Sequence, residues 1–323
     1  MSSERRAARP AAPSAETIAG LRTALTGVRA LLLDMDGVLI LRGEPILGAA
    51  AALAELDALA IPYLVATNVS LVSRSTLARE LGRVGLPVSP DRIVTAASAT
   101  AAHVRGRFGA APLYVLVAPD ALAEFEGLRL LSHEEAAQPD ARAAAVVVGD
   151  AAEEFTPRNM QSAFSLLRGG ARFVAMHKNR WWLTSAGVTL DAGAYVAGLE
   201  YVTEKRALIA GKPSRTFFRE GVRALEGLGL AAGDGRAQRE PRAAAHSAHS
   251  AHSAHLAPHE VAMVGDDLWN DVRGAQKAGL RGVFVRSGKH GDAELARVTA
   301  ERGGRAPDAV APSIVEIVAA LTR

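Results

Sequence analysis

The hydrophobic pattern of the chain is set first by Leu31, Leu32 and Leu33, an apolar run with no alternation. Such a run predicts a strand buried on both faces of a parallel sheet. It stops at Asp34-Met35-Asp36-Gly37, so two carboxylates stand where the strand leaves the core. Ala49–Ala60 is rich in alanine and leucine and predicts a helix. Ile61–Ala66 reads as the next strand and ends in Thr67, Asn68, Val69 and Ser70. Ser73 is placed to cap a helix over Arg74–Val84. Strand and helix in alternation, with polar groups at each strand exit, predict an α/β fold built on a doubly wound parallel sheet.

From about Pro112 the rhythm restarts. Leu113–Ala118, Ala144–Gly149 and Arg172–Met176 read as strands, Pro119–Phe125 as a short helix, and Pro157–Leu167 as a helix opened by proline. These units predict a second, smaller α/β domain inserted at a loop of the first. The expected organisation is a tail over 1–27, core over 28–108, inserted domain over 109–205 and core again over 206–323. The core resumes with a short strand at Ala207–Ala210, then Gly211, Lys212 and a helix from Pro213 or Ser214. Glu260–Val264 reads as a strand that runs into Gly265, Asp266 and Asp267, with Asp271 on the next helical turn. Gly282–Val285 is a further strand and Ile314–Leu321 a closing amphipathic helix.

Residues 233–258 break this composition with the repeat AHSAHSAHSAH from Ala245 to His255. A histidine-rich tract can bind Zn²⁺ or Ni²⁺, but Ala, Ser and His bury little, and the reading is a low-complexity loop. Residues 235–257 are therefore expected to be replaceable by a short linker. The excess of basic over acidic residues, +3 in 323 residues, is too small to argue for a nucleic-acid or membrane partner. The absence of cysteine excludes disulfides and thiolate chemistry, and fits a reducing, cytoplasmic setting. No apolar run is long enough to span a bilayer, and the first 14 residues carry arginines without an apolar signal core.

Taken singly, the polar exits are weak signals. Asp-x-Asp-Gly is also an ordinary solvated turn, and a lysine beside a helix start is usually just hydrated. Chemically, an acidic pair can hold a divalent cation, Asp34 could attack phosphorus, and Lys212 suits an anion. Taken in order, Asp34/Asp36, Thr67/Asn68, Lys212 and Asp266/Asp271 resemble the four motifs of the haloacid dehalogenase superfamily, here DMDG, TN, GKP and GDDLWND. The inserted domain is similar to that superfamily's type C2 cap. HKNRWWLTSAGVTLDAGAYVAGLEYVTEKRALIAGKPSRTFF and VGDDLWNDVRGAQKAGLRGVFVRSGK further resemble subclass IIA, in the branch that holds the phospholysine phosphohistidine inorganic pyrophosphate phosphatases.

The resemblance implies a Mg²⁺-dependent phosphatase acting on a small phosphorylated substrate through an aspartyl-phosphate. Asp34 would be the nucleophile and Asp36 the general acid and base. Asp34, the Asp36 carbonyl and Asp266 would hold the metal. Thr67, Asn68 and Lys212 would bind the phosphoryl group. Asp271 would support the metal site from behind, and Asp267 fits either role equally. His177, Lys178, Arg180 and the loop Asp191–Tyr195 resemble family positions that face substrate, and a homo-oligomer through the cap fits the same pattern. Two departures stand out: Val69 replaces a polar residue common in relatives, and Asp36 is present where close relatives carry serine. A phosphomutase or other phosphotransferase on the same core, or a regulatory binding protein retaining the site, are the competing readings. Asp36 together with Asp266 argues against a dehalogenase, which needs neither a leaving-group acid nor a metal.

Overall fold

The computed structural model describes residues 15–184, 187–236, 255–301 and 303–322. A six-stranded sheet forms the larger layer, in the order Ala309–Ala311, Arg281–Val285, Val261–Gly265, Ala30–Leu33, Tyr63–Thr67, Ile93–Thr95. Every neighbouring pair is parallel. The unbroken leucine run is explained by its two faces. Leu31 and Leu33 pack with Leu53, Leu56, Leu77 and Ile317, whereas Leu32 packs on the other side with Phe217, Phe218 and Leu225. Each fully buried leucine contributes about 2 kcal/mol, and a polar residue at any of the three would have no solvated face to turn to.

The inserted domain carries a four-stranded parallel sheet, in the order Leu208–Ile209, Arg172–Ala175, Ala145–Val148, Leu113–Leu116. The strand at Leu208–Ile209 thus pairs with the cap, so the expected return to the core at 206 falls inside the smaller sheet. The helix Ala96–Phe108 is a wall shared by both layers. Its Ala96, Ala97 and Val104 pack on Val115, Phe125 and Met176 of the cap, and Ala99 on the core strands. Cap carboxylates also close the N-terminus of the core helix Arg74–Arg83. Ser73 N–H donates to Asp120 Oδ2 at 2.7 Å, and Arg74 N–H and Nε–H donate to Glu124, each at 2.7 Å. Acceptors there satisfy amides that the helix itself leaves unbonded.

Two expectations need correction. The tail was expected to reach 27, but Ala15–Ala24 is a helix; Leu21 and Leu25, four apart, are buried in the main core, and Arg22 donates to the carbonyls of Ala320 and Thr322. The histidine-rich segment is also shorter than its composition implies. The helix that follows Lys212 runs Arg215–Arg236, and Leu256 is 7% exposed within the Phe217/Phe218 cluster. Residues 237–254, most of the repeat, lie outside the described residues. Replacing 237–254 with a short Gly/Ser linker is expected to leave the melting temperature unchanged. Replacing 235–257 also removes Leu256 and should cost about 2–4 kcal/mol. Thermal melts of the two variants check this, and equal loss in both would give the repeat a structural role. Among the described residues, no helix is long and apolar enough to cross a membrane.

Candidate active site

The strands ending in Leu33, Thr67 and Gly265 are neighbours in the sheet, with the Leu33 strand central. Their carboxyl ends therefore bring Asp34, Thr67 and Asp266 to one crevice, where open α/β sheets hold ligands. Asp34 is 7% exposed; its Oδ1 accepts from Met35 N–H and from Lys212 Nζ, each at 2.8 Å. Lys212 enters just ahead of the helix Arg215–Arg236 and is buried. Its ammonium touches Asp34 Oδ1, Asp271 Oδ1 at 2.7 Å and the Ala66 carbonyl at 3.0 Å. Burial alone would lower the Lys212 pKa, but Asp271 and Asp34 outweigh it and hold the side chain protonated. Asp36 sits on the turn after Met35. Its side chain reaches solvent, yet enough protein crowds it that burial pushes its pKa up against the pull of Lys212.

Asn68 does its work through the backbone of its neighbours. Its Oδ1 accepts from Lys212 N–H at 2.8 Å and its Nδ2 donates to the Lys212 carbonyl at 3.0 Å, so the second and third motifs are clasped together. Thr67 Oγ1 accepts from Val69 N–H at 3.3 Å and shapes the turn. Val69, the departure from the family pattern, packs its side chain against the main hydrophobic core.

Asp266, Asp267 and Asp271 separate into distinct environments. Asp34, Asp266 and Asp271 each place a carboxylate oxygen so that all lie within 4.8 Å of one another. Lys212 pairs directly with two of these carboxylates, Asp34 and Asp271, and burial raises the pKa of all three. That is a setting which a divalent cation fits. Asp271 is fully buried behind the others against Lys212. Asp267 turns away: its Oδ1 accepts from the Trp269 and Asn270 amides, each at 2.9 Å, and caps the widened helical turn Leu268–Arg273. Burial would raise its pKa, but those amides and Lys289, 2.8 Å from Oδ2, bring it down to about 2.

A fifth segment, Ser287–His290, completes the site and carries no acidic signal in the sequence. Ser287 Oγ donates to the Gly37 carbonyl at 2.5 Å, Lys289 N–H donates to Asp266 Oδ2 at 2.5 Å, and Leu268 N–H donates to His290 Nδ1 at 3.0 Å. It follows the strand Arg281–Val285, next to the Asp266 strand, so the strand-exit rule alone could have pointed to it. The cap residues expected to face substrate have other partners. Lys178 pairs with Glu200 at 2.5 Å, Asp191 caps the helix Ala192–Thr203, and Tyr195 stacks on Phe155 with ring centroids 3.7 Å apart. The Arg180 carbonyl accepts from Asp191 N–H at 3.2 Å, and His177 is buried.

Asp266 has a testable electrostatic consequence. Burial, with Asp271 and Asp267 nearby, raises its pKa from 3.8 to about 6. The folded state therefore binds this proton more tightly than the unfolded chain, so the stability it confers is full below 3.8 and lost as pH rises through about 6. In chelator, wild type minus Asp266→Asn should show a loss on the order of 3 kcal/mol across that window, read from melts at each pH. A flat difference curve would show that the carboxyl is not strained by its surroundings.

A family model described as haloacid dehalogenase-like hydrolase matches residues 31–130, and a second, HAD-hydrolase-like, matches residues 209–317. The chain is 33% identical over 284 residues to the phospholysine phosphohistidine inorganic pyrophosphate phosphatase of Xenopus laevis, covering 85% of this chain and 90% of that protein. Its fold is similar to that of a 4-nitrophenylphosphatase from Thermotoga maritima, with a TM-score of 0.70 and 26% identity over 92% of this chain and 98% of the other. It is likewise similar to a glycerol phosphate phosphatase from Mycobacterium tuberculosis solved in complex with magnesium, with a TM-score of 0.68 and 24% identity over 91% and 77% of the two chains. On its matched motifs, its sheet order and its relatives, the chain belongs to the haloacid dehalogenase-like hydrolases.

Proposed function

We propose that the protein is a phosphatase of small phosphorylated metabolites that works through an aspartyl-phosphate on Asp34. The observation that carries the reading is the clustering of Asp34, Asp266 and Asp271 around Lys212, with Asp36 two residues on at the solvent edge. Asp34, Asp266 and the main-chain carbonyl of Asp36 are the groups that would hold Mg²⁺. When bound, Mg²⁺ supplies positive charge that offsets repulsion between the Asp34 carboxylate and the phosphoryl oxygens. Lys212 fixes one oxygen of Asp34 and orients the carboxylate toward the crevice. Asp34 attacks phosphorus, and the bond to the leaving oxygen breaks as Asp36 hands it a proton. Water then attacks the phosphoenzyme while Asp36 takes the proton back, releasing phosphate and restoring both carboxyl groups. Burial raises the pKa of Asp36 against the pull of Lys212, so it holds a proton more readily than a free aspartate would, as a proton donor to the leaving oxygen must. Thr67 and the amides of the Asn68 turn receive the phosphoryl oxygens. Asp271, paired with Lys212, keeps the ammonium in place, and Asp267 holds the backbone that presents Asp266.

The test is hydrolysis of p-nitrophenyl phosphate and a panel of phosphometabolites, with Mg²⁺ and with chelator. Activity is expected to need Mg²⁺, to vanish with chelator, and to be blocked by Ca²⁺, whose higher coordination number would draw both oxygens of Asp34 into bidentate ligation and remove the attacking lone pair. Full activity in excess chelator would contradict the reading. Phosphoryl transfer to a second hydroxyl in single-turnover product analysis would turn it into a mutase.

A further inference from the structure

The cap strand Arg172–Ala175 runs on to His177, whose ring is 3% exposed and sits against the core loop Thr67–Ser70. His177 Nε2 lies 2.8 Å from Ser70 Oγ, and the same Oγ accepts from Asp150 N–H at 3.1 Å. Nδ1 has no hydrogen-bond partner and lies 3.8 Å from Asp191 Oδ1. Two neutral tautomers are available. With the proton on Nε2, Ser70 Oγ would take two N–H donors, and the Nδ1 lone pair would face a carboxylate. With the proton on Nδ1, that N–H faces the carboxylate, Nε2 accepts from the Ser70 hydroxyl, and Ser70 accepts from Asp150. Every group then has the polarity its neighbour requires. Burial lowers the ring's pKa against the opposing pull of Asp191 and Asp150, which keeps the imidazole neutral.

Ser70 ends the loop whose first members, Thr67 and Asn68, lie over the crevice. Asn68 is already clasped by the Lys212 backbone, so the loop is pinned at one end from the core and at the other from the cap. We propose that His177, as its Nδ1–H tautomer, is a positioning residue: it holds Ser70 and so fixes the segment that receives the phosphoryl group. The inference rests on the phosphatase reading above for what the loop binds. Seating the cap and shaping the phosphate loop are then one event, because the hydrogen bond that does the second crosses between the two domains.

The test uses the full chain with Mg²⁺ and inorganic phosphate, and three variants: His177→Leu, Ser70→Ala and His177→Gln. Phosphate affinity is read by calorimetry, and order in the loop by hydrogen exchange of the amides of residues 67–70. His177→Leu and Ser70→Ala should each weaken phosphate binding by about tenfold and speed exchange of those amides. The double variant should be no worse than the worse single one, since both remove the same bond. His177→Gln, whose amide oxygen reaches about as far as Nε2, should restore most of the affinity. A folded His177→Leu with wild-type affinity and exchange overturns the proposal, as do additive effects in the double variant. Should His177→Leu fail to fold, Ser70→Ala decides: unchanged affinity and exchange overturn the proposal, and loss of both with His177→Gln near wild type supports it. Wild-type protein that hydrolyses no phosphoester, yet shows the coupled exchange, would sink the phosphatase reading and leave the positioning role standing.

Discussion

Asp34→Asn is expected to lower turnover by a factor of about 10⁴ or more while the protein melts at the same or a higher temperature. The amide is nearly isosteric and its oxygen still accepts from Met35 N–H and Lys212, so the local geometry survives. What is lost is the nucleophile, since an amide oxygen does not form a stable ester with phosphorus. Stability should not fall, because Asp34 is one of three carboxylates whose oxygens lie within 4.8 Å of one another, two of them sharing the ammonium of Lys212. Removing one negative charge from that cluster relieves repulsion which burial makes expensive. Hydrolysis of p-nitrophenyl phosphate and a thermal melt in chelator check both halves. Activity within about a hundredfold of wild type, after contamination is excluded, would rule out covalent catalysis by Asp34. Asp36→Asn separates the steps. It keeps the nucleophile, so a phosphoenzyme should form slowly and persist, detectable by acid quench with labelled substrate.

The sheet and the four motif exits were legible because each rests on side chains with an unambiguous physical demand. Leu31, Leu32 and Leu33 can be satisfied only by a strand covered on both faces, and the core supplies Leu53 and Leu56 on one side and Phe217 and Phe218 on the other. Polar groups at the ends of such strands lie at the carboxyl edge of the sheet, which is why Asp34, Thr67 and Asp266 meet. Spacing alone could not divide the roles of Asp267 and Asp271, since a four-residue offset places both on one face of a helix, a turn apart. The course of the backbone separates them, giving Asp267 the amides of Trp269 and Asn270 and Asp271 the ammonium of Lys212. Leu208–Ile209 is too short to announce which sheet it joins, and its pairing with Val174 and Ala175 is decided by tertiary contact. His177 resembles a family position that faces substrate, and its hydrogen bond to Ser70 could not be read from the sequence because it depends on how the cap is seated.

Ser287–Lys289 follows a strand exit but carries no acidic group to mark it, and it leads to the second large effect. This segment acts through a backbone amide and a missing side chain, neither of which marks a sequence. A Cβ added at Gly288 would lie 1.9 Å from Asp266 Oδ2 and 2.5 Å from its Cγ, with no space for a methyl group. Asp266 cannot retreat, because a Cβ at Gly37 on the DMDG turn would already lie 2.1 Å from the same oxygen, so that oxygen is closely hemmed by two glycines. Alanine at 288 must therefore either rotate the Asp266 carboxylate out of the crevice or push back the loop. The second course breaks the Lys289 N–H bond to Asp266 and the Ser287 bond to the Gly37 carbonyl. Gly288→Ala is expected to cost about 1–3 kcal/mol of stability. It should raise the Mg²⁺ concentration needed for half-maximal activity by about 10–100-fold, the usual consequence of losing a group that orients a metal ligand. Excess Mg²⁺ should recover part of the rate, and the rise in melting temperature on adding Mg²⁺ should shrink in parallel, which reads metal binding without any turnover. Gly291→Ala is the control from the same loop, since a Cβ there meets only Glu294 Oε2 at 3.9 Å. A folded Gly288→Ala protein with the wild-type Mg²⁺ requirement and the wild-type Mg²⁺-induced shift would show that Asp266 does not need this loop to hold its position.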